Sequence, residues 1–200
     1  RARRWDSHPA LSFETPLPPF VVEGYDINNL GPLPVDGLAL APQIDRVFFT
    51  PIHGVKLYSV SASLLRDFST TNEQLDADVQ DHGAKSSQCD GLTVSDDGML
   101  YMSMLTANAV EAMEIAKQEG NVVLRPELSS STVVAQDSRL FWPDTFGWAT
   151  DEKGGLLVSG ARLEMLFLGD WPSSRRNVAL FRIPTAARSY LHALGPLKTN

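Results

Sequence analysis

The chain has 200 residues, 43% of them hydrophobic and 20% charged, a balance suited to a globular fold with a packed core. Its formal net charge of −7 repels a phosphate backbone, so nucleic-acid binding is not expected. No apolar run approaches the roughly 20 residues that cross a bilayer, so no membrane span is expected either.

Cys89 is the only cysteine and reads as a buried small hydrophobe. The basic groups Arg1, Arg3, Arg4 and Arg175, Arg176 read as solvated loop charge. The chain begins at Arg1, which leads to the expectation that a further segment precedes it.

In chain order, the first apolar/polar alternations, the mark of strands with one buried face, lie at 36–42, 46–51 and 55–60. A helix is predicted over 61–67, capped by Ser61 or Ser63, with Leu64 and Leu65 as its apolar side. The stretch 68–88 is polar and rich in Asp, Thr and Ser, and is expected to be a long surface loop and a mobile lid. His53 and His82 are expected in solvated loops. Strands follow at 90–96, 99–104 and 109–115, the first two joined by a turn at Asp96, Asp97 and Gly98. A fourth strand is read at 121–125 and 131–136. The last set lies at 144–150, 155–160 and 177–183, with a turn at 151–154. A short helix is predicted over 185–194, stopped by Gly195.

Asp36, Asp90 and Asp144 open the first strand of each set and stand 54 residues apart. Sets of short antiparallel strands at such a period predict the blades of a β-propeller. At 54 residues per blade the chain covers about 3.7 blades, with blades around 10–60, 61–115 and 116–184 and a tail over 185–200. A propeller closes with 4–8 blades. The remaining blades are therefore expected from upstream residues or from a second chain.

The start of each inner strand faces the central channel of a propeller, which puts Asp36, Asp90 and Asp144 at one mouth. Three converging carboxylates are calcium-type ligands. The competing reading is that each aspartate caps a turn. His8, His53, His82 and His192 show no metal-type spacing. No nucleophile elbow and no phosphate loop occurs.

Several segments together resemble the yellow / major royal jelly protein family. They are 35–42 around Asp36, 57–67, the block Ser87-Gln88-Cys89-Asp90-Gly91-Leu92 with Gly98 to Tyr101 and Asn108-Ala109-Val110, Trp142-Pro143-Asp144-Thr145-Phe146, and 177–183. The resemblance runs from about residue 5 to 184 and covers the C-terminal half of a typical member. It implies an all-β, six-bladed β-propeller, secretion, and a small ligand in the central channel. The expected ligand-binding residues are Asp36, Asp90, Asn108, Asp144, Thr145 and Phe146, with Trp142 or Trp148 as a further aromatic wall. The sequence departs from the family at Ala161, where an Asn is usual, and this puts amine binding of the family's salivary type in doubt. An interaction subunit and an isomerase of dopachrome type are the competing expectations.

Overall fold

The computed structural model describes residues 2–119, 122–124, 131–151, 153–171 and 176–193. A small ribbon of β1 (Val21–Val22) and β2 (Tyr25–Asp26) precedes β3 (Val35–Ala41), β4 (Arg46–Pro51) and β5 (Lys56–Ser61). Then come α1 (Ala62–Arg66), α2 (Asn72–Asp78) and β6 (Gln80–Ala84). The second set is β7 (Cys89–Val94), β8 (Met99–Met104) and β9 (Ala109–Glu114). A hairpin of β10 (Lys117–Glu119) and β11 (Val122–Leu124) leads to β12 (Thr132–Gln136). The last set is β13 (Pro143–Trp148), β14 (Leu156–Ala161), α3 (Leu163–Phe167), β15 (Val178–Ile183) and α4 (Tyr190–Ala193). Asn121, Arg125, Glu152, Arg175 and Gly195 of the sequence expectations, with Arg1 and Leu194, lie outside the described residues.

All pairings between strands are antiparallel, and three sheets follow one another along the chain: β3-β4-β5-β6, β7-β8-β9-β12 and β13-β14-β15. The structure is thus all-β with a few short helices. The cores lie between sheets. Ala39, Phe48 and Leu57 of the first sheet pack on Leu92, Leu100 and Met102 of the second. Tyr101, Val110 and Ala112 of the second pack on Leu156, Val158 and Ile183 of the third.

The 54-residue repeat has a packing cause. A Cβ built on Gly37 would overlap the backbone carbonyl of Asp90, and one on Gly91 would overlap the carbonyl of Asp144. Leu92 lies over Gly37 and Phe146 over Gly91. Each first strand therefore presses its backbone onto the glycine of the strand before it, and the residue two places after the aspartate covers that glycine. Only glycine leaves room for such an approach. Leu92 is 8% exposed, whereas Leu38, its counterpart in the first sheet, is 61% exposed. At the other end, Val178 and Leu180 of β15 are also exposed.

The helix at 61–67 forms as α1, with the Ser61 hydroxyl accepting from the Leu64 N–H. The C-terminal helix is shorter than expected, at Tyr190–Ala193. Residues 68–88 are not one long loop. Thr71 and Gln74 cap α2 reciprocally, and the helix buries Leu75. Trp5 Nε1 donates to Asp76 at 2.7 Å, which ties α2 to the N-terminal segment. With one buried leucine in seven residues, α2 offers no 3.6-residue apolar pattern to read. β6 then adds the fourth strand of the first sheet.

Two histidines differ from expectation for the same reason. His53 is fully buried, its Nε2 held by Asn28 at 2.7 Å, and burial lowers its pKa. His82 sits on β6, half-buried, against the Ser59 hydroxyl at 2.7 Å, and burial lowers its pKa as well. Cys89 is buried and free, and burial raises its thiol to about 11.

The glycine contacts are testable. Gly91→Ala should cost about 1–3 kcal/mol by chemical denaturation, because the Asp144 backbone must move to admit a methyl. Gly147→Ala, whose Cβ meets nothing closer than 3.9 Å, should stay within about 1 kcal/mol of wild type.

Candidate functional site

The close approach of β3, β7 and β13 carries their aspartates to one place. Asp90 is buried at the start of β7, and Asp36 and Asp144 lie near enough to act on its charge. Asp36 is exposed and Asp144 half-buried. The Gly91 N–H donates to Ser103 Oγ at 2.7 Å, which fixes the strand at this point. Thr145 joins the group: its hydroxyl donates to Asp144 Oδ1 at 3.1 Å, and the residue is exposed.

Trp142 is the partner of Asp90. Its Nε1 donates to Asp90 Oδ2 at 2.8 Å, and the indole is buried. Its backbone adopts φ +38°, a left-handed conformation uncommon for a bulky residue. The ring packs on Phe20 with centroids 5.8 Å apart and meets Phe167 of α3 edge-on at 5.8 Å. Phe20 in turn meets His53 edge-on at 5.3 Å. The N-terminal segment and α3 thus clamp the tryptophan that holds the carboxyl.

Burial raises the Asp90 carboxyl to about 7. The Trp142 N–H works in the opposite direction, while Asp144 and then Asp36 raise it further. Near neutral pH this group exchanges a proton with little bias, and an arriving cation would favour its ionised form.

The remaining expected residues sit elsewhere. Phe146 packs on Gly91 between the second and third sheets. Asn108 lies in the β8–β9 turn at φ +49°, and its amide donates to Glu23 Oε1 at 2.5 Å. Strands are about 4.8 Å apart, so this turn stands one to two strand widths out from β7. Trp148 points to the other end of the third sheet, with its Nε1 on Thr93 Oγ1 at 3.3 Å. Ala161 receives the departure from the family pattern beside the site: its N–H donates to the Trp142 carbonyl at 3.4 Å. Among the described residues no group of three or more His, Cys, Asp or Glu is spaced to hold a metal ion, Asp36, Asp90 and Asp144 included.

Sequence reasoning did not find α3 or its neighbours. Arg162 lies over the Phe141 ring at 4.1 Å, and its Nη1 is 3.7 Å from the fully buried Glu164. Burial raises the pKa of Glu164. The only local signal was the order Trp142-Pro143-Asp144, which puts a large aromatic two residues before the repeated aspartate in the third set alone.

Consecutive antiparallel sheets, meeting through their first strands with one acidic residue each, define an all-β protein of β-propeller type. The chain belongs to the major royal jelly protein family, whose profile matches residues 19–188. No curated protein sequence matches the chain. Solved structures similar to it include a luciferin-regenerating enzyme, at 12% identity and a TM-score of 0.47, over 78% of this chain and 46% of that one. A presumed gluconolactonase matches at 11% identity and 0.48, over 90% and 56%. Regucalcin of Agrobacterium tumefaciens, a calcium-binding protein, matches at 13% and 0.42, over 92% and 62%. The chain therefore spans between 46% and 62% of the length of these structures.

The Asp90 environment predicts a pH dependence. A carboxyl near 7 in the fold and about 3.9 unfolded keeps its proton in the fold while the unfolded chain loses it. Its contribution to stability is fully present below about pH 4 and is lost as pH rises to about 7. Denaturation free energies from pH 5 to pH 8 should therefore fall less steeply in Asp90→Asn than in wild type. By pH 8 the variant should gain on the order of 2–4 kcal/mol relative to its pH 5 difference.

Proposed function

We propose that this chain forms consecutive blades of a six-bladed β-propeller that binds a small ligand in its central channel. The mouth of the channel is formed by Asp36, Asp90, Asp144 and Thr145, with Trp142 behind Asp90. The observation that carries this reading is the buried Asp90 carboxyl, held by an indole N–H and flanked by two further carboxylates. Such a group converts readily to an anion when a cation or a hydrogen-bond donor arrives, which suits a polar or cationic small molecule. Family membership supports the propeller and a secreted protein.

The exposed Leu38 and the exposed Val178 and Leu180 support further sheets at both ends of this array. Leu38 has the place that Leu92 fills against its neighbour, so an equivalent glycine-bearing strand would cover it. The same surfaces favour the second reading, in which the chain serves mainly as an interaction subunit of a larger assembly. An isomerase of dopachrome type draws on the near-neutral Asp90 as a proton-transfer group.

A thermal-shift panel of amines, catechols, sterols and calcium separates these readings. At least one organic ligand should raise the melting temperature in a dose-dependent way, and Asp90→Asn with Asp144→Asn should abolish the shift. No shift with any member, together with a stably co-purifying chain, would support the interaction subunit instead. Turnover of dopachrome that disappears in Asp90→Asn would establish the enzyme.

A further inference from the structure

A cavity lies at the end of the third sheet opposite Asp144. It measures about 540 Å³ and is bounded by the β13–β14 turn and the segment before α4. That size falls in the range of pockets for small organic ligands, roughly 300–1,000 Å³.

The walls are fixed. Arg188 and Asp96 exchange backbone hydrogen bonds: the Asp96 N–H donates to the Arg188 carbonyl at 2.8 Å, and the Arg188 N–H to Asp96 Oδ1 at 2.9 Å. Ser189 bridges Ser95 of the second sheet. Trp148 forms one wall, braced edge-on by Tyr101 at 5.7 Å and by its own N–H on Thr93.

The charge is opposite to that of the protein as a whole. Lys153, Arg188 and His192 line the cavity. Its one acidic lining residue among those described, Asp151, is already neutralised by Arg182, whose Nη1 donates to Asp151 Oδ2 at 2.8 Å. Neither Lys153 nor Arg188 forms an ion pair among the described residues. The Arg188 guanidinium donates to His192 Nε2 at 2.8 Å. A chain of net charge −7 thus holds a pocket with an indole wall whose lining presents Lys153 and Arg188, with the Asp96 carboxylate on the Arg188 backbone behind them.

We infer that this pocket binds a small aromatic carboxylate, its ring against Trp148 and its carboxylate on Arg188 and Lys153. A planar guanidinium matches a carboxylate in a two-bond fork, and the lysine adds a mobile point charge. The inference is independent of the Asp90 channel, because the two sites lie at opposite ends of β13.

The test is calorimetric titration and tryptophan fluorescence with indole-3-acetate, against the neutral indole-3-ethanol as its control. Indole-3-acetate should saturate with a Kd below about 1 mM and bind at least about tenfold more tightly than the neutral compound. Arg188→Gln should weaken it by about tenfold, and Arg188→Lys by less, since the lysine keeps charge but loses the fork. Arg188 is exposed, so folding should be unchanged in both variants, as circular dichroism will verify. Absence of saturable binding up to about 10 mM, equal affinity for the neutral compound, or an unaffected Arg188→Gln would each overturn the proposal.

Discussion

The structure depends on one steric constraint: backbone must meet backbone where successive sheets join. At Gly37 and Gly91 the carbonyls of Asp90 and Asp144 occupy the space a side chain would need. This is why the two glycines follow two of the repeated aspartates, and why the sheets approach closely enough to bury Leu92 and Phe146 over them. Sheet-on-sheet packing at that distance supplies the apolar burial that holds the array together.

The same contact produces the electrostatics of the site. Drawing three first strands together draws three carboxyl groups together, and the middle one has least access to water. Asp90 is compensated by a single indole N–H, which does not offset its desolvation, so its affinity for a proton rises to the neutral range. Asp36 and Asp144 keep contact with water beside it. Trp142, held at φ +38°, supplies the hydrogen bond of the buried carboxyl. The clamp of Phe20 and Phe167 shows how much of the surrounding chain is committed to that position.

Much of this was legible because strand alternation and the 54-residue spacing are properties of local sequence. The first, second and third strands of each set fall within a residue or two of their expected places. The capped helix α1 was equally visible, since Ser61 and the Leu64–Leu65 pair lie within one turn. What escaped notice depends on contacts distant in sequence. α2 is stabilised by a capping box and by Trp5, some seventy residues away, and not by an apolar stripe. His53 and His82 look like loop residues until Asn28 and Ser59 are brought to them. The partnership of Trp142 with Asp90 joins residues 52 apart in the chain, and Phe146 turned inward because the Gly91 backbone offered it a place. Asn108 matched a family block, yet its turn gave its amide to Glu23.

The convergence of the three aspartates can be read directly by carbon-detected NMR of the aspartate carboxyl groups across a pH titration. The Asp90 carboxyl should titrate at about 7, and its midpoint should fall when Asp36 and Asp144 are replaced by asparagine. A midpoint in the ordinary carboxylate range would mean that Asp90 is not withdrawn from water, and one indifferent to both replacements would mean that the first strands do not bring these side chains together.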